Sequence, residues 1–175
     1  MKITLILTFI AFTFCGYSQT DITNQKESYI KDNFQIQYPK SWRIDTSGQM
    51  GTELFVFSPL ENETDKFSEN ANVIIQDLGD QNIDLEKYKQ ITDKQLIELA
   101  TDGEVFESVV VKTDNSNYFK IVYAMTQGKF RLKICSICYI ENNKAYLLTF
   151  SSELDKYEMY KKNGEEILMS FKLIN

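Results

Sequence analysis

Residues Lys129–Glu141, KFRLKICSICYIE, followed by Asn142-Asn143 and then Lys144–Ser151, KAYLLTFS, decide the architecture. Two runs rich in β-branched and aromatic residues are separated by Asn-Asn, a pair that tolerates positive φ, so they read as an antiparallel hairpin. The stretch Ile134–Ile140 is apolar at almost every position instead of alternating, which marks a strand covered on both faces. Working backward, Gln127-Gly128 makes a second tight turn to a strand over Tyr118–Gln127. Asp114-Asn115-Ser116-Asn117 makes a looser turn to Val105–Lys112, where Val109-Val110-Val111 is again two-sided. Strands joined by such short turns are antiparallel, so this half of the chain is a meander.

Upstream of the meander, Leu85, Tyr88, Ile91, Leu96 and Leu99 recur at helical spacing and predict a helix over 84–101. Asp84 can cap its first turn, Ile83 and Tyr88 occupy the two positions of a hydrophobic staple, and Asp102-Gly103 supplies the stop. Further upstream, Phe34–Tyr38 alternates strictly and Pro39–Trp42 turns the chain. Strands follow at Trp42–Ile44, Gly51–Phe57 and Asn72–Leu78, with an acidic polar loop at Leu60–Asn70. Downstream, Tyr157, Tyr160, Gly164, Ile167, Leu168 and Phe171 share one face of a helix over Leu154–Phe171. Gly164 costs that helix about 1 kcal/mol relative to Ala but allows close approach to a sheet. The fold class is therefore α+β. The expected form is a three-layer α/β/α sandwich with a mostly antiparallel central sheet, one helix after the first strands and one C-terminal helix.

The N-terminus has its own pattern. Met1-Lys2 precedes an apolar run, Ile3–Phe14, and Gly16 and Ser18 place small residues before Gln19. This is a signal peptide over 1–18, and the run is short of the roughly 20 residues a membrane span needs. Residues 19–27 form a polar, flexible lead-in to a single domain over 28–175. The chain is expected to be exported, periplasmic or extracellular, with no membrane attachment unless Cys15 is lipidated. The bulky Phe14 just before Cys15 argues against that alternative.

The chain carries 25 acidic and 19 basic residues, a net charge of −6, and loss of Lys2 makes the mature form one unit more negative. Without a basic stripe this excludes nucleic acid and anionic membrane surfaces as partners. Ten Tyr, twelve Phe and 43% apolar residues exclude disorder. The absence of His removes Ser-His-Asp and Cys-His catalysis. Cys135-Ser136-Ile137-Cys138 lies inside a strand run, where residues three apart point to opposite faces and sit about 10 Å apart, too far for a disulfide without a bulge. The expectation is two buried thiols, not a redox or zinc motif. Glu61, Glu63, Asp65 and Glu69 in the loop, with Asp77, Asp80 and Asp84 before the first helix, are the candidate carboxylates for Ca²⁺ or for acid–base chemistry. Their spacing matches no EF-hand, and scattered loop acids form a solvated surface, so no cofactor, metal or catalytic residue is expected.

Several motifs in order resemble the PsbP-like family, the sandwich of photosystem II extrinsic subunits and the Mog-type Ran-binding import factor. They are Phe34-x-Ile36-x-Tyr38-Pro39-x-x-Trp42, Phe57-x-Pro59, and Asp65-x-Phe67-x-Glu69-Asn70-x-Asn72-Val73. Leu85-Glu86-x-Tyr88, Tyr146-x-Leu148-Thr149-x-Ser151 and Ser170-Phe171 complete the set. The resemblance implies the fold and an adaptor or accessory role without catalysis. Tyr38, Pro39, Trp42, Asn70, Asn72 and Phe171 are its fold-motif residues, Trp42 as a core aromatic and Asn70 and Asn72 bonding loop backbone. The expected function is an exported non-enzymatic binding or accessory protein. Its partner would be a protein or small ligand held in a groove between sheet and helix, under the Leu60–Asn70 loop. The alternatives are an envelope lipoprotein anchored at Cys15, and an enzyme or Ca²⁺-binding protein using the acidic loop.

Overall fold

The structure is a computed structural model and describes residues 25–99, 102–114 and 116–174; the expected signal peptide, Cys15 and most of the lead-in lie outside them. The chain runs β1 (Lys26–Lys31), β2 (Phe34–Pro39), β3 (Arg43–Asp45), β4 (Leu54–Phe57), β5 (Asn70–Asp77), α1 (Leu85–Leu99), β6 (Glu104–Lys112), β7 (Asn117–Gln127), β8 (Phe130–Glu141), β9 (Lys144–Glu153), α2 (Tyr157–Met169) and β10 (Lys172–Leu173). Two helices on antiparallel strands make it α+β.

Seven strands form one sheet in the order β3-β4-β5-β9-β8-β7-β6. Asn142 and Asn143 (φ 50° and 58°) and Gly128 (φ 61°) adopt the left-handed turns that set the register of the β7-β8-β9 meander. On the outermost strand Phe106 is an extra residue in the pairing with β7, since Val105 faces Tyr123 and Glu107 faces Val122.

Two features differ from expectation. β1 begins at Lys26, inside the segment expected to be a lead-in. And the strictly alternating β2 does not join the large sheet: it pairs with β1 on one side and β10 on the other in a separate three-stranded sheet. β2 has one fully apolar face, Phe34, Ile36 and Tyr38, which packs down on the larger sheet's core.

Side-chain parity on the central strands explains the core. On β8, Cys135 and Ile137 join one buried cluster and Cys138 the other. On β9, Tyr146, Leu148 and Phe150 join the first, and Ala145 the second. The first cluster includes Tyr157, Ile167 and Leu168 of α2. The second meets Leu85, Tyr88 and Leu96 of α1. α1 packs against β6, β7 and β8. The run on β8 is buried on both faces, whereas on the edge strand β6 the expected two-sided cover is not met, since Val110 packs on the α1-side cluster and Val109 is exposed. Away from α1 the same face turns polar, with Asn72 of β5 paired to Thr149 of β9.

α2 lies across β9, β5 and β2. Gly164 sits over the Phe150 ring, where a Cβ would overlap the ring carbons. At the helix end Ser170 Oγ accepts the Gln37 N–H at 2.8 Å, tying α2 to β2. Phe171 then stacks on Phe34 and Tyr139, both at 5.6 Å, and meets Tyr146 at 5.8 Å. Trp42 is buried with its edge toward Tyr160.

Gly164→Ala gains about 1 kcal/mol of helix propensity but forces a methyl into the Phe150 ring, an overpacking cost of about 1–3 kcal/mol. We expect a net loss of up to about 2 kcal/mol in denaturant unfolding. The loss should shrink when the same change is made in a Phe150→Leu background.

Candidate functional site

The acidic loop folds around one lysine. Lys156, just before α2, approaches Asp65 Oδ1 at 3.3 Å, Glu153 Oε2 at 3.2 Å and Glu61 Oε1 at 3.5 Å. Burial alone would lower the pKa of this ammonium; its bonds to Glu153 and Asp65 outweigh that and raise it. Asp65 accepts the backbone N–H groups of Glu61 (3.0 Å) and Phe67 (3.2 Å), and these donors, followed by Lys156, hold its carboxyl below the usual range. Glu69 is fully buried, facing the hydroxyls of Ser58 at 3.2 Å and Ser152 at 3.4 Å. Burial pushes its pKa up, against the pull of Lys156.

The other candidates stand apart. Glu63 is exposed, and its carbonyl accepts the Lys66 ammonium at 2.8 Å. Asp77 caps the Gly79 N–H at 2.8 Å, and Asp80 points into solvent on the same turn. Glu69 and Asp77 bracket β5, whose rise separates them by roughly 25 Å. The acids therefore split into a lysine-neutralised loop, beside a hollow of about 400 Å³, and a separate turn. Asn70 Nδ2 donates to the Ser68 carbonyl at 3.0 Å. Asn72 makes no such loop bond: it stands mid-strand on the sheet face away from α2.

Both thiols of the C-x-x-C run are buried, one on each face of β8. Burial raises Cys135 to about 11 and Cys138 to about 12, so both are protonated at neutral pH.

The larger concavity lies elsewhere. A groove of about 1100 Å³ opens where the strand ends of β6, β7 and β8 meet the start of α1 and β10. Tyr139 and Phe171 belong to its floor, while Met169 and Leu173 are 51% and 36% exposed at its lip. Charged residues of both signs surround it: Asp84, Glu86 and Glu141, with Lys112 and Lys172. It is not under the Leu60–Asn70 loop. Of the motif residues it takes in Leu85, Glu86 and Phe171. Asp84 lines it too, but its Oδ1 accepts the Lys87 N–H at 2.8 Å as a helix cap. Outside these residues the groove carries no motif; apolar Met169 and Leu173 flanking the end of a helix were the available signal.

A family model described as PsbP matches residues 25–173. The chain belongs to the PsbP family. Among solved structures, this PsbP-family chain resembles cyanobacterial PsbP (CyanoP) from Synechocystis sp. PCC 6803. The TM-score is 0.61 at 18% identity, over 85% of this chain and 91% of that one. It also resembles LpqN of Mycobacterium tuberculosis, with TM-score 0.61 at 10% identity over 86% and 91% of the two chains. PA94 of Pseudomonas aeruginosa gives TM-score 0.52 at 8% identity over 78% and 89%. At these identities the likeness is one of fold. No curated protein sequence matches the chain.

The Glu69 environment has a measurable consequence. A carboxyl whose folded pKa lies above its unfolded value opposes folding above that pKa, and the penalty fades as pH falls through it. Glu69→Gln keeps an acceptor for Ser58 and removes the buried charge. Thermal unfolding between pH 4 and 8 should therefore show a higher Tm than wild type at pH 7, with the gain shrinking toward pH 4.

Proposed function

We propose that this PsbP-family chain is an exported, non-enzymatic binding or accessory module, its two helices forming the outer layers of an α/β/α sandwich around the large sheet. The observation that carries the binding role is the groove at the strand ends. There Met169 and Leu173 remain exposed above a floor that includes Tyr139 and Phe171. Apolar side chains at the lip of a concavity with a fixed aromatic floor are the composition of a docking site. The acidic loop supports the same reading: Glu61 and Asp65 are engaged by Lys156, and Glu69 faces two serine hydroxyls. That makes the loop a structural clasp. Placement in the cell envelope accords with the similarity to LpqN, whose structure is described as involved in cell envelope biogenesis. No helix among the described residues is long and apolar enough to cross a membrane.

Two measurements test this. A photo-crosslinking residue placed at Met169 should give a discrete adduct in intact cells, whereas the same residue at exposed Lys94 should not. Equal labelling at both positions, or none at either, would remove the groove as the docking site. Intact mass of the protein from its native envelope should show a soluble species starting at Gln19. A detergent-dependent species with acyl mass on Cys15 would replace the free module with a lipoprotein.

A further inference from the structure

Resting on the groove as a docking site, we propose that its ligand is an extended polypeptide segment of a partner protein, which adds as a further strand to the free edge of β10. The hydrogen-bond register decides which way this edge faces. The Ile174 N–H donates to the Asn33 carbonyl at 2.8 Å, and Lys172 and Leu173 pair with Gln35 and Phe34. The Gln37 N–H continues the series by donating to Ser170 Oγ. Asn33, Gln35 and Gln37 therefore all turn their backbone groups toward β10. In an antiparallel ladder alternate residues bond to opposite sides. The Phe171 carbonyl and both the N–H and carbonyl of Leu173 must then point away from β2, along the edge that borders the groove. Among the described residues β10 pairs with β2 alone, and no turn or loop backbone bond reaches those three groups.

An unpaired edge beside side-chain pockets is the geometry of strand addition, in which backbone bonds give affinity and alternate side chains give selectivity. The charges around the groove fit the same ligand. Lys172 stands on the β10 wall and Asp84 and Glu86 on the α1 wall. None of these three, nor Lys112 or Glu141, takes part in an ion pair among the described residues. A segment lying between the walls meets a cation on one side and carboxylates on the other, so a peptide of mixed charge complements both. An anionic surface would be repelled by Asp84, Glu86 and Glu141. Apolar residues on the inward side of the peptide would cover Met169 and Leu173.

The probe is a random eight-residue peptide library selected on the purified protein, with the enriched peptides measured by fluorescence anisotropy. Enriched sequences should alternate apolar with charged residues and lose at least tenfold in affinity for Met169→Glu. They should lose as much for Leu173→Pro, which removes the outward N–H while leaving the bonds to β2. Backbone N-methylation of the peptide on alternate residues should abolish binding to the unmodified protein, so the test does not depend on the proline variant folding. Peptides that respond to Met169→Glu but ignore both Leu173→Pro and N-methylation would overturn strand addition and leave the groove standing. Peptides indifferent to Met169→Glu, or no enrichment, would overturn both. A concentration-dependent dimer abolished by Leu173→Pro would give the edge to a second copy of this chain and refute the partner segment.

Discussion

The approach of α2 to the large sheet, set by the absence of a side chain at Gly164 above Phe150, governs the path of the chain from that helix to its C-terminal strand. With the helix seated that close, Tyr157, Ile167 and Leu168 reach the core and Ser170 arrives beside Gln37. Phe171 is delivered into the gap between Phe34, Tyr139 and Tyr146, and β10 can then pair with β2. A helix held farther off would leave Phe171 short of those rings and the small sheet with two strands, a number that is marginal alone. One glycine thus couples the two sheets.

The parts of the fold legible in the sequence are those whose patterns are local. The meander announced itself through Asn142-Asn143 and Gln127-Gly128, and α1 through its stripe and the Asp84 cap. β1 was illegible because KESYIK has no apolar alternation: it is held by backbone bonds to β2, and only Tyr29 packs on the core. β10 spans two residues directly after a helix, and nothing but its pairing with β2 makes it a strand. The membership of β2 in a second sheet was hidden for a related reason. Alternation reveals which face is buried, not what buries it. The groove was unreadable because its residues come from segments as distant as Ile83 and Leu173, brought together by strand order alone.

The loop acids show the converse: a pattern that was visible but whose meaning lay elsewhere in the chain. A run of carboxylates reads as a cation site or a solvated surface until its counter-charge is located. Here the counter-charge is Lys156, contributed by the turn before α2, so the same clasp that neutralises Asp65 also anchors the helix start to the loop. Glu69, one turn of chain further on, is left to two serine hydroxyls in the interior.

The placement of Cys135 and Cys138 on opposite faces of β8 sets a condition on folding wherever thiol oxidants are present. In the unfolded chain these thiols are separated by two residues and can meet. Once β8 pairs with both β7 and β9, the extended backbone holds them apart with the sheet between them. Oxidation and folding therefore compete for the same four residues. A disulfide closed first would impose a bend on a central strand and disrupt the register on both sides, whereas a sheet formed first shields its thiols from oxidants thereafter. Where oxidants are present, folding has to outrun oxidation for the chain to reach this structure.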